Sequence, residues 1–131
     1  MILERSLLMS SLATQTEAPT TITLKEYQDW TVTTAMYPHA ETGSVEELMY
    51  LALGLTGETG EVANKVKKLF RDGESQELRT ELAKELGDVM WYMARLSSVL
   101  KVDLTETLSK NVSKLESRKA RGVITGSGDN R

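Results

Sequence analysis

The chain has 131 residues and 40% apolar content, which suits a single domain of ordinary size. It contains no cysteine, and this excludes disulfide frameworks, thiolate-bound zinc, iron–sulfur clusters and a cysteine nucleophile. A net charge of -3 and a pI near 5.3 argue against a nucleic-acid-binding protein, whose surface would be basic. Only two prolines stand beside abundant leucine, glutamate, lysine and alanine, so the composition predicts an all-α fold.

The N-terminal segment, residues 1–22, is predicted to be a disordered leader because its second half is rich in threonine and lacks a hydrophobic period. Leu7, Leu8 and Met9 superficially resemble part of a signal peptide, but the apolar stretch is short and two serines interrupt it. No run approaches the roughly 18 apolar residues of a membrane helix. We therefore expect a cytoplasmic protein without a membrane partner, and Met9 is an alternative start.

Capping motifs mark three helix starts in the rest of the chain. In a capping box, a polar side chain and an acidic side chain three residues later satisfy backbone N–H groups at the start of a helix. The pairs with this spacing are Thr23 and Glu26, Ser44 and Glu47, and Asp103 and Glu106. With the apolar periodicity, they predict helices from Thr23 to about Tyr37 before Pro38, from Ser44 to about Asp72, from Leu78 to Leu100, and from Asp103 to the residue before Gly122.

Each predicted helix carries an apolar stripe, and the stripe of the third helix is the most regular. Its members step by three or four residues and are Leu78, Leu82, Leu86, Val89, Met93, Leu96 and Leu100. Four amphipathic helices joined by short loops predict a helical bundle over residues 23–122, followed by a glycine-rich tail over residues 123–131.

Two pairs of acidic residues are candidates for a functional site. Glu58 and Glu61 on the second helix, and Glu85 and Asp88 on the third, are each three residues apart and therefore share a helix face. Glu85 falls at the edge of the apolar stripe, where a carboxylate that nothing neutralises is costly. If the two helices pack antiparallel, the pairs converge on four carboxylates, which suits Mg²⁺ or Mn²⁺. The alternative is that these are ordinary solvated glutamates of two helices.

Glycines and lysines around the first acidic pair allow more than one interpretation. Gly54, Gly57 and Gly60 lie within the second helix, where each glycine costs about 1 kcal/mol relative to alanine. They indicate a helix break, a close approach to a ligand, or packing against a neighbouring helix. A basic stretch follows, made of Lys65, Lys67, Lys68 and Arg71. It would suit a metal-bound polyphosphate, or it is a solvated helix end where positive charge favours the macrodipole.

Other catalytic chemistries lack their residues. His39, the single histidine, follows Pro38 in a predicted loop and is expected at the surface, so neither a Glu-x-x-His di-iron site nor a histidine-dependent triad is expected. The segment Gly126–Asp129 lacks the strand, lysine and following helix of a phosphate-binding loop.

Aromatic residues are expected to serve packing. Tyr27, Trp30, Thr34 and Tyr37 share a face of the first helix and are predicted to be core or interface residues, with base stacking as the alternative. Trp91 lies opposite the apolar stripe of the third helix, which predicts a contact with another subunit.

Two segments carry a specific combined pattern. One is Gly54-Leu-Thr-Gly-Glu58-Thr-Gly-Glu61, and the other is Glu85-Leu-Gly-Asp88-Val-Met-Trp-Tyr. Together they closely resemble the MazG-like, all-α nucleoside triphosphate pyrophosphohydrolases, whose pattern is ExxE on one helix and ExxD on the next. The resemblance extends from about Tyr27 to Asp129. Gly57 is a departure, because family members often have a second glutamate there.

The resemblance implies a four- to five-helix bundle that hydrolyses (deoxy)nucleoside triphosphates between the α and β phosphates to the monophosphate and pyrophosphate. It implies that Glu58, Glu61, Glu85 and Asp88 are catalytic and hold one to three Mg²⁺ ions, for which Mn²⁺ can substitute. Either Glu58 or Glu61 would accept the proton of the attacking water. It also implies a homodimer or homotetramer with sites shared between chains.

Further residues are carried over from the family as contacts to the substrate phosphates. Asn111 and Lys114 match the family's later Asn and Lys. Lys68, Arg71, Arg118 and Arg121 are additional candidates, and the tail over residues 123–131 is a candidate cover of the active site. Two alternatives stay open: a relative with narrow specificity for dUTP, dCTP, dGTP or phosphoribosyl-ATP, and a non-catalytic helical oligomer that binds metal or nucleotide.

Overall fold

The computed structural model describes residues 21–130, so the predicted leader lies almost wholly outside the described part of the chain. All regular structure in residues 21–130 is helical, which confirms the predicted all-α class. The elements are α1 over Leu24–Trp30 with a 3₁₀ turn over Thr31–Thr34, α2 over Val45–Asp72, α3 over Gln76–Val99 and α4 over Leu104–Ala120. No helix within residues 21–130 is long and apolar enough to cross a membrane.

All three predicted helix starts have their N-cap hydrogen bond, and the complete capping box forms at Thr23. The Thr23 hydroxyl accepts a hydrogen bond from the Glu26 N–H at 3.2 Å, and the Glu26 carboxylate accepts one from the Thr23 N–H at 2.8 Å. A carboxylate oxygen of Asp103 accepts the N–H of Glu106 at 3.1 Å at the start of α4. These contacts explain why α1 and α4 begin where the sequence predicts.

The capping box predicted at the start of α2 is only half formed. Ser44 accepts the N–H of Glu47 at 3.2 Å, but the Glu47 carboxylate does not return to Ser44. It accepts the Tyr37 hydroxyl at 2.7 Å and the N–H groups of Glu41 and Gly43 at 2.9 and 2.8 Å. The loop before α2 folds back over the helix start and presents these donors. The Glu47 carboxylate therefore holds this loop by hydrogen bonds instead of completing the capping box with Ser44.

The first helix ends earlier than predicted. The α-helix stops at Trp30, whereas the sequence predicts helix to about Tyr37. The hydroxyls of Thr31, Thr33 and Thr34 donate to carbonyl oxygens three residues earlier at 2.7 to 3.1 Å. Such bonds, together with a run of β-branched side chains, favour a tighter turn over continued α-helix. The proline-based prediction of the helix end is therefore wrong by about two turns.

Helices α2 and α3 form an antiparallel hairpin that carries the candidate site. Gly73 ends α2 with a φ of 91°, a conformation that glycine adopts without strain. Ser75 then caps α3, since its hydroxyl accepts the Leu78 N–H at 3.1 Å. Leu51 on α2 and Ala94 on α3 are completely buried. Both helices match their predicted extents closely.

Helix α4 is attached to the rest of the chain through α1. The Gln28 side chain accepts the Leu104 N–H at 2.7 Å and donates to the Val102 carbonyl at 2.9 Å. The predicted apolar stripe of α4 is only partly covered, because Val112 is 60% exposed and Leu115 40% exposed. Within residues 21–130, α2 and α3 therefore form a hairpin to which α1 and α4 are attached.

The C-terminal tail after α4 returns to that helix. Arg118 is 5% exposed, and its guanidinium donates to the Asp129 carbonyl at 2.7 Å. Gly126 and Gly128 both have positive φ, which lets this short segment reverse its direction. Whether the tail covers an active site stays a prediction.

Candidate metal centre

Three acidic side chains meet on the seam between α2 and α3. One carboxylate oxygen from each of Glu58, Glu85 and Asp88 lies within 4.8 Å of the other two. The antiparallel pairing brings them together: the Lys65 ammonium group reaches Glu81 across the seam, so Glu58, two turns earlier, falls level with Glu85 and Asp88. The structure thus assembles three of the four predicted carboxylates.

The three carboxylates repel one another. Burial raises the pKa of Glu58, and the negative charges of Asp88, Glu85 and Glu61 raise it further. The charged form of Glu58 is therefore disfavoured in the folded chain. A cation placed among these oxygens would relieve both effects.

Glu61 lies outside this cluster. Its carboxylate is close enough to raise the pKa of Glu58, but it is not among the groups whose oxygens approach within 4.8 Å. The residue is exposed. The predicted convergence of all four carboxylates is thus only partly present in the structure.

Lys65 is the basic residue that reaches the cluster. Its ammonium nitrogen lies 2.8 Å from a carboxylate oxygen of Glu81 and 3.7 Å from one of Glu85. The hydrogen bond to Glu81, followed by the charges of Glu81 and Glu85, raises the pKa of Lys65 despite the opposing effect of burial. Lys65 belongs to the predicted basic stretch, but sequence analysis did not single it out or name Glu81 as its partner.

Aromatic residues border the carboxylates on one side. Burial, followed by the nearby negative charge of Asp88, raises the pKa of Tyr27. The pKa of Tyr92 is raised by burial first and then by Tyr50, Glu58 and Asp88. Tyr92 was not predicted, although its position one helical turn after Asp88 places it on the same face of α3.

The three glycines of α2 have different surroundings. A methyl group on Gly54 would lie 2.1 Å from the Tyr92 ring, so Gly54 allows close packing between α2 and α3. Gly57 and Gly60 have no atom within 4 Å of such a methyl group in the described chain. Because α2 is continuous, a helix break is wrong as an explanation.

Trp91 is packed within its own chain. Its indole N–H donates to the Thr34 hydroxyl at 2.8 Å, and its ring makes edge contacts with Tyr37 and Tyr92. Trp91, on the face of α3 opposite the apolar stripe, therefore packs against the 3₁₀ turn and the loop after it, and remains partly exposed. The predicted contact of this residue with another subunit stays a prediction.

The structure does not gather the predicted phosphate-binding residues around the cluster. Arg71 pairs with Asp72 at 2.6 Å. Arg118 is buried against the tail, and the Arg121 guanidinium donates to the Ser117 hydroxyl at 3.3 Å. Lys68 lies near enough to Glu81 and Asp72 to lower the pKa of both carboxyls, after the larger effects of Lys65 and Arg71 respectively.

Asn111 and Lys114 lie on α4. Both are exposed, and neither side chain makes a hydrogen bond or ion pair within residues 21–130. The packing partner of α4 is α1. Within one chain, the described residues therefore do not show α4 contributing to the carboxylate site.

A cleft of about 520 Å³ lies at the other end of the hairpin, beyond the carboxylates. Its floor contains Arg95, which is 2% exposed, forms an ion pair with Glu41 and lies 3.9 Å from Glu47. Burial is the main reason that the pKa of Tyr37 rises to about 12 beside this pair. Sequence analysis missed Arg95, although an arginine within an apolar helix segment signals a buried partner. His39, as predicted, is an exposed loop residue.

The carboxylate cluster fits a hard divalent cation. Its donors are three oxygens, which Mg²⁺ and Mn²⁺ prefer, and they share a net negative charge. Asp88 is exposed, so water can complete the coordination of an ion there. Glu58, Glu85 and Asp88 are therefore the residues that would hold it.

An all-helical chain in which three carboxylates meet between two antiparallel helices fits the class of α-helical proteins with a metal-binding site on a helix pair. The chain matches the MazG nucleotide pyrophosphohydrolase domain over residues 46–123, more than half of its length, and belongs to this family. It is also 53% identical over 109 residues to the Gene 37 protein of Mycobacterium phage L5, covering 80% of this chain and 96% of that protein. No solved structure gives a significant match. The family resemblance is thereby confirmed.

Proposed function

We propose that the protein hydrolyses (deoxy)nucleoside triphosphates between the α and β phosphates, with Mg²⁺ or Mn²⁺, to the monophosphate and pyrophosphate. The observation that carries this proposal is the cluster of Glu58, Glu85 and Asp88 on the two long helices of a MazG domain. A triphosphate is strongly negative and is repelled by three carboxylates unless a cation lies between them. When bound, the cation neutralises phosphate charge and lowers the pKa of water.

The chain's own residues hold the cation and accept the proton of the attacking water. Glu58, Glu85 and Asp88 hold the cation, because their oxygens already converge. Glu61 accepts the proton of the attacking water, because it lies outside the cluster, is exposed and is three residues from Glu58. This assignment chooses between the two glutamates that the family resemblance leaves open.

We further propose that the functional protein is a homo-oligomer that completes each site with α4 of another copy. The apolar surface left by one chain supports this: Leu53 is 70% exposed, Phe70 94% and Val112 60%. Gly57 and Gly60 have open space around them, although glycine weakens a helix. Close packing of another chain against α2 would account for both glycines. In this arrangement, Asn111 and Lys114 of a neighbouring chain contact the substrate phosphates. Such an enzyme acts where nucleotides are pooled, in the cytoplasm.

The decisive experiment measures the products formed from a panel of canonical and modified nucleoside triphosphates, with and without Mg²⁺. We expect monophosphate and pyrophosphate, formed only with the metal. Diphosphate and orthophosphate as products would contradict the proposal. Turnover of a single base would identify a narrow relative, and nucleotide binding without turnover would identify a non-catalytic protein.

Two variants test the residue roles in the same assay. Glu61→Gln is expected to lose most turnover while still binding Mn²⁺, because a base and not a ligand is removed. Glu77→Gln is the matched control, since Glu77 is an exposed residue in the first turn of α3 and far along the helix from the cluster. Equal loss of Mn²⁺ binding and turnover in Glu61→Gln would make Glu61 a ligand instead.

A further inference from the structure

We propose that the Lys65 ammonium group occupies one side of the carboxylate centre and excludes a second divalent ion there. The centre then binds a single divalent ion. This inference deepens the proposed function and requires from it only that a divalent ion binds at Glu58, Glu85 and Asp88. It assigns Lys65 as a positioning residue.

The geometry places the Lys65 ammonium group beside a candidate ligand. It lies 2.8 Å from Glu81 and 3.7 Å from Glu85, and it bridges two carboxylates that are one helical turn apart on α3. The side chains of Lys65 and Glu85 are each only 18% exposed. Water therefore screens this contact less than it screens a pair on the open surface.

The donors for a second ion are otherwise present on this side. Glu81 lies one helical turn before Glu85 on α3, and both carboxylates are within 4 Å of the Lys65 ammonium group, so an ion beside Glu85 would draw on the two of them. Glu81 is engaged by Lys65, and a positive charge 3.7 Å from Glu85 repels a divalent ion placed there. On the opposite side, Gly57 supplies no carboxylate. One three-oxygen position, at Glu58, Glu85 and Asp88, is what remains.

The test counts Mn²⁺ ions bound per chain by the full-length protein without nucleotide, using equilibrium dialysis and the electron paramagnetic resonance signal of unbound Mn²⁺. We expect one ion for the wild type and two for Lys65→Met, in which a side chain of similar length lacks the charge. Circular dichroism in EDTA checks that the variant retains its helices.

Two matched variants separate the charge from the change of side chain. Lys65→Arg keeps the charge and is expected to bind one ion. Lys67→Met removes a charge from an exposed neighbour two residues away and is also expected to bind one. Two ions in the wild type, or one in a folded Lys65→Met, would overturn the proposal.

The readout also distinguishes this inference from the proposed activity. If the wild type binds one Mn²⁺ and Lys65→Met binds two, the inference holds even when no triphosphate is hydrolysed. If triphosphates are hydrolysed but the wild type binds two ions, the activity stands and the role of Lys65 is rejected.

Discussion

Glu58 carries a negative charge that the folded chain disfavours, and this has a consequence for stability. Its pKa is raised above the ordinary value of 4.5 by burial and by three neighbouring carboxylates. Between the pKa of Glu58 in the unfolded chain and its higher pKa in the folded chain, the folded state binds more protons than the unfolded state. As the pH rises through this window, the free energy of unfolding of the metal-free protein therefore decreases.

Replacing Glu58 with glutamine should remove this pH dependence. Well below pH 4.5 the side chain at this position is neutral in both proteins, and we expect equal free energies of unfolding in EDTA. As the pH is raised to 7, Glu58→Gln should become the more stable protein. Urea unfolding at several pH values measures the difference. A difference that stays constant with pH would show that Glu58 titrates normally.

Asp88 offers a test of the metal centre through stability. Asp88→Asn removes one of three repelling charges, so in EDTA we expect it to be as stable as the wild type or more so, by about 0.5 to 2 kcal/mol. With Mg²⁺ at roughly 100 times its Kd, the wild type should gain about 2.7 kcal/mol, because the ion binds only the folded state. The variant should gain much less and lose most turnover. Equal rises in both melting temperatures would contradict a metal centre at Asp88.

Spacing along a helix could predict which carboxylates share a face, but not which of them converge. Glu58, Glu85 and Asp88 meet because the hairpin register brings their faces together. Glu61 has the same three-residue relation to Glu58, yet it is exposed and does not join the cluster. Its direction depends on the exact rotation of α2 against α3, and one sequence does not determine that rotation.

At the scale of the helices, Gly54 sets how closely α2 approaches α3. A methyl group there would lie 2.1 Å from the Tyr92 ring, which would have to move away from the seam. Gly54→Ala should therefore destabilise the fold by about 1 to 3 kcal/mol, although alanine is the better helix former. Thermal unfolding of the metal-free protein measures this.

Gly87→Ala on α3 is the control for this substitution, because no atom lies within 4 Å of its added methyl group. Gly87→Ala should be neutral or stabilising by up to about 1 kcal/mol through helix propensity. If Gly54→Ala behaves in the same way, the close approach of the two helices is not tight in solution.

Local signals predicted helix starts better than helix ends or loop contacts. Thr23 and Asp103 cap through neighbours three residues away, so their sequence context contains the whole interaction. Glu47 has the same local pattern, but the returning loop supplies donors that compete with the cap. The end of α1 depends on threonine hydroxyls bonding to the backbone, which a rule based on Pro38 does not include.

At the scale of the whole molecule, a site shared between chains can be tested by mixing two inactive proteins. Asp88→Asn damages the cluster on α3, and Lys114→Ala damages the proposed phosphate contact on α4. A mixed dimer would contain one site with both residues intact, so random exchange should restore about a quarter of wild-type turnover. Light scattering should show a dimer or tetramer at micromolar concentration.

The outcome against this arrangement is equally specific. If the mixture has only the summed activity of the two variants, each site is built from one chain. Periodicity predicted which face of α4 is apolar, but not whether the surface that covers this face belongs to the same chain.

The connection between α2 and α3 consists of only three residues, from Gly73 to Ser75. The two helices that carry the carboxylate cluster are therefore neighbours along the chain, and contacts of this kind close short loops at a small entropic cost. During synthesis, the hairpin can pair as soon as α3 has emerged, before α4 and the tail exist. The three carboxylates then come together on an incomplete chain, so a divalent ion bound there would favour the hairpin while the rest of the protein is still being made.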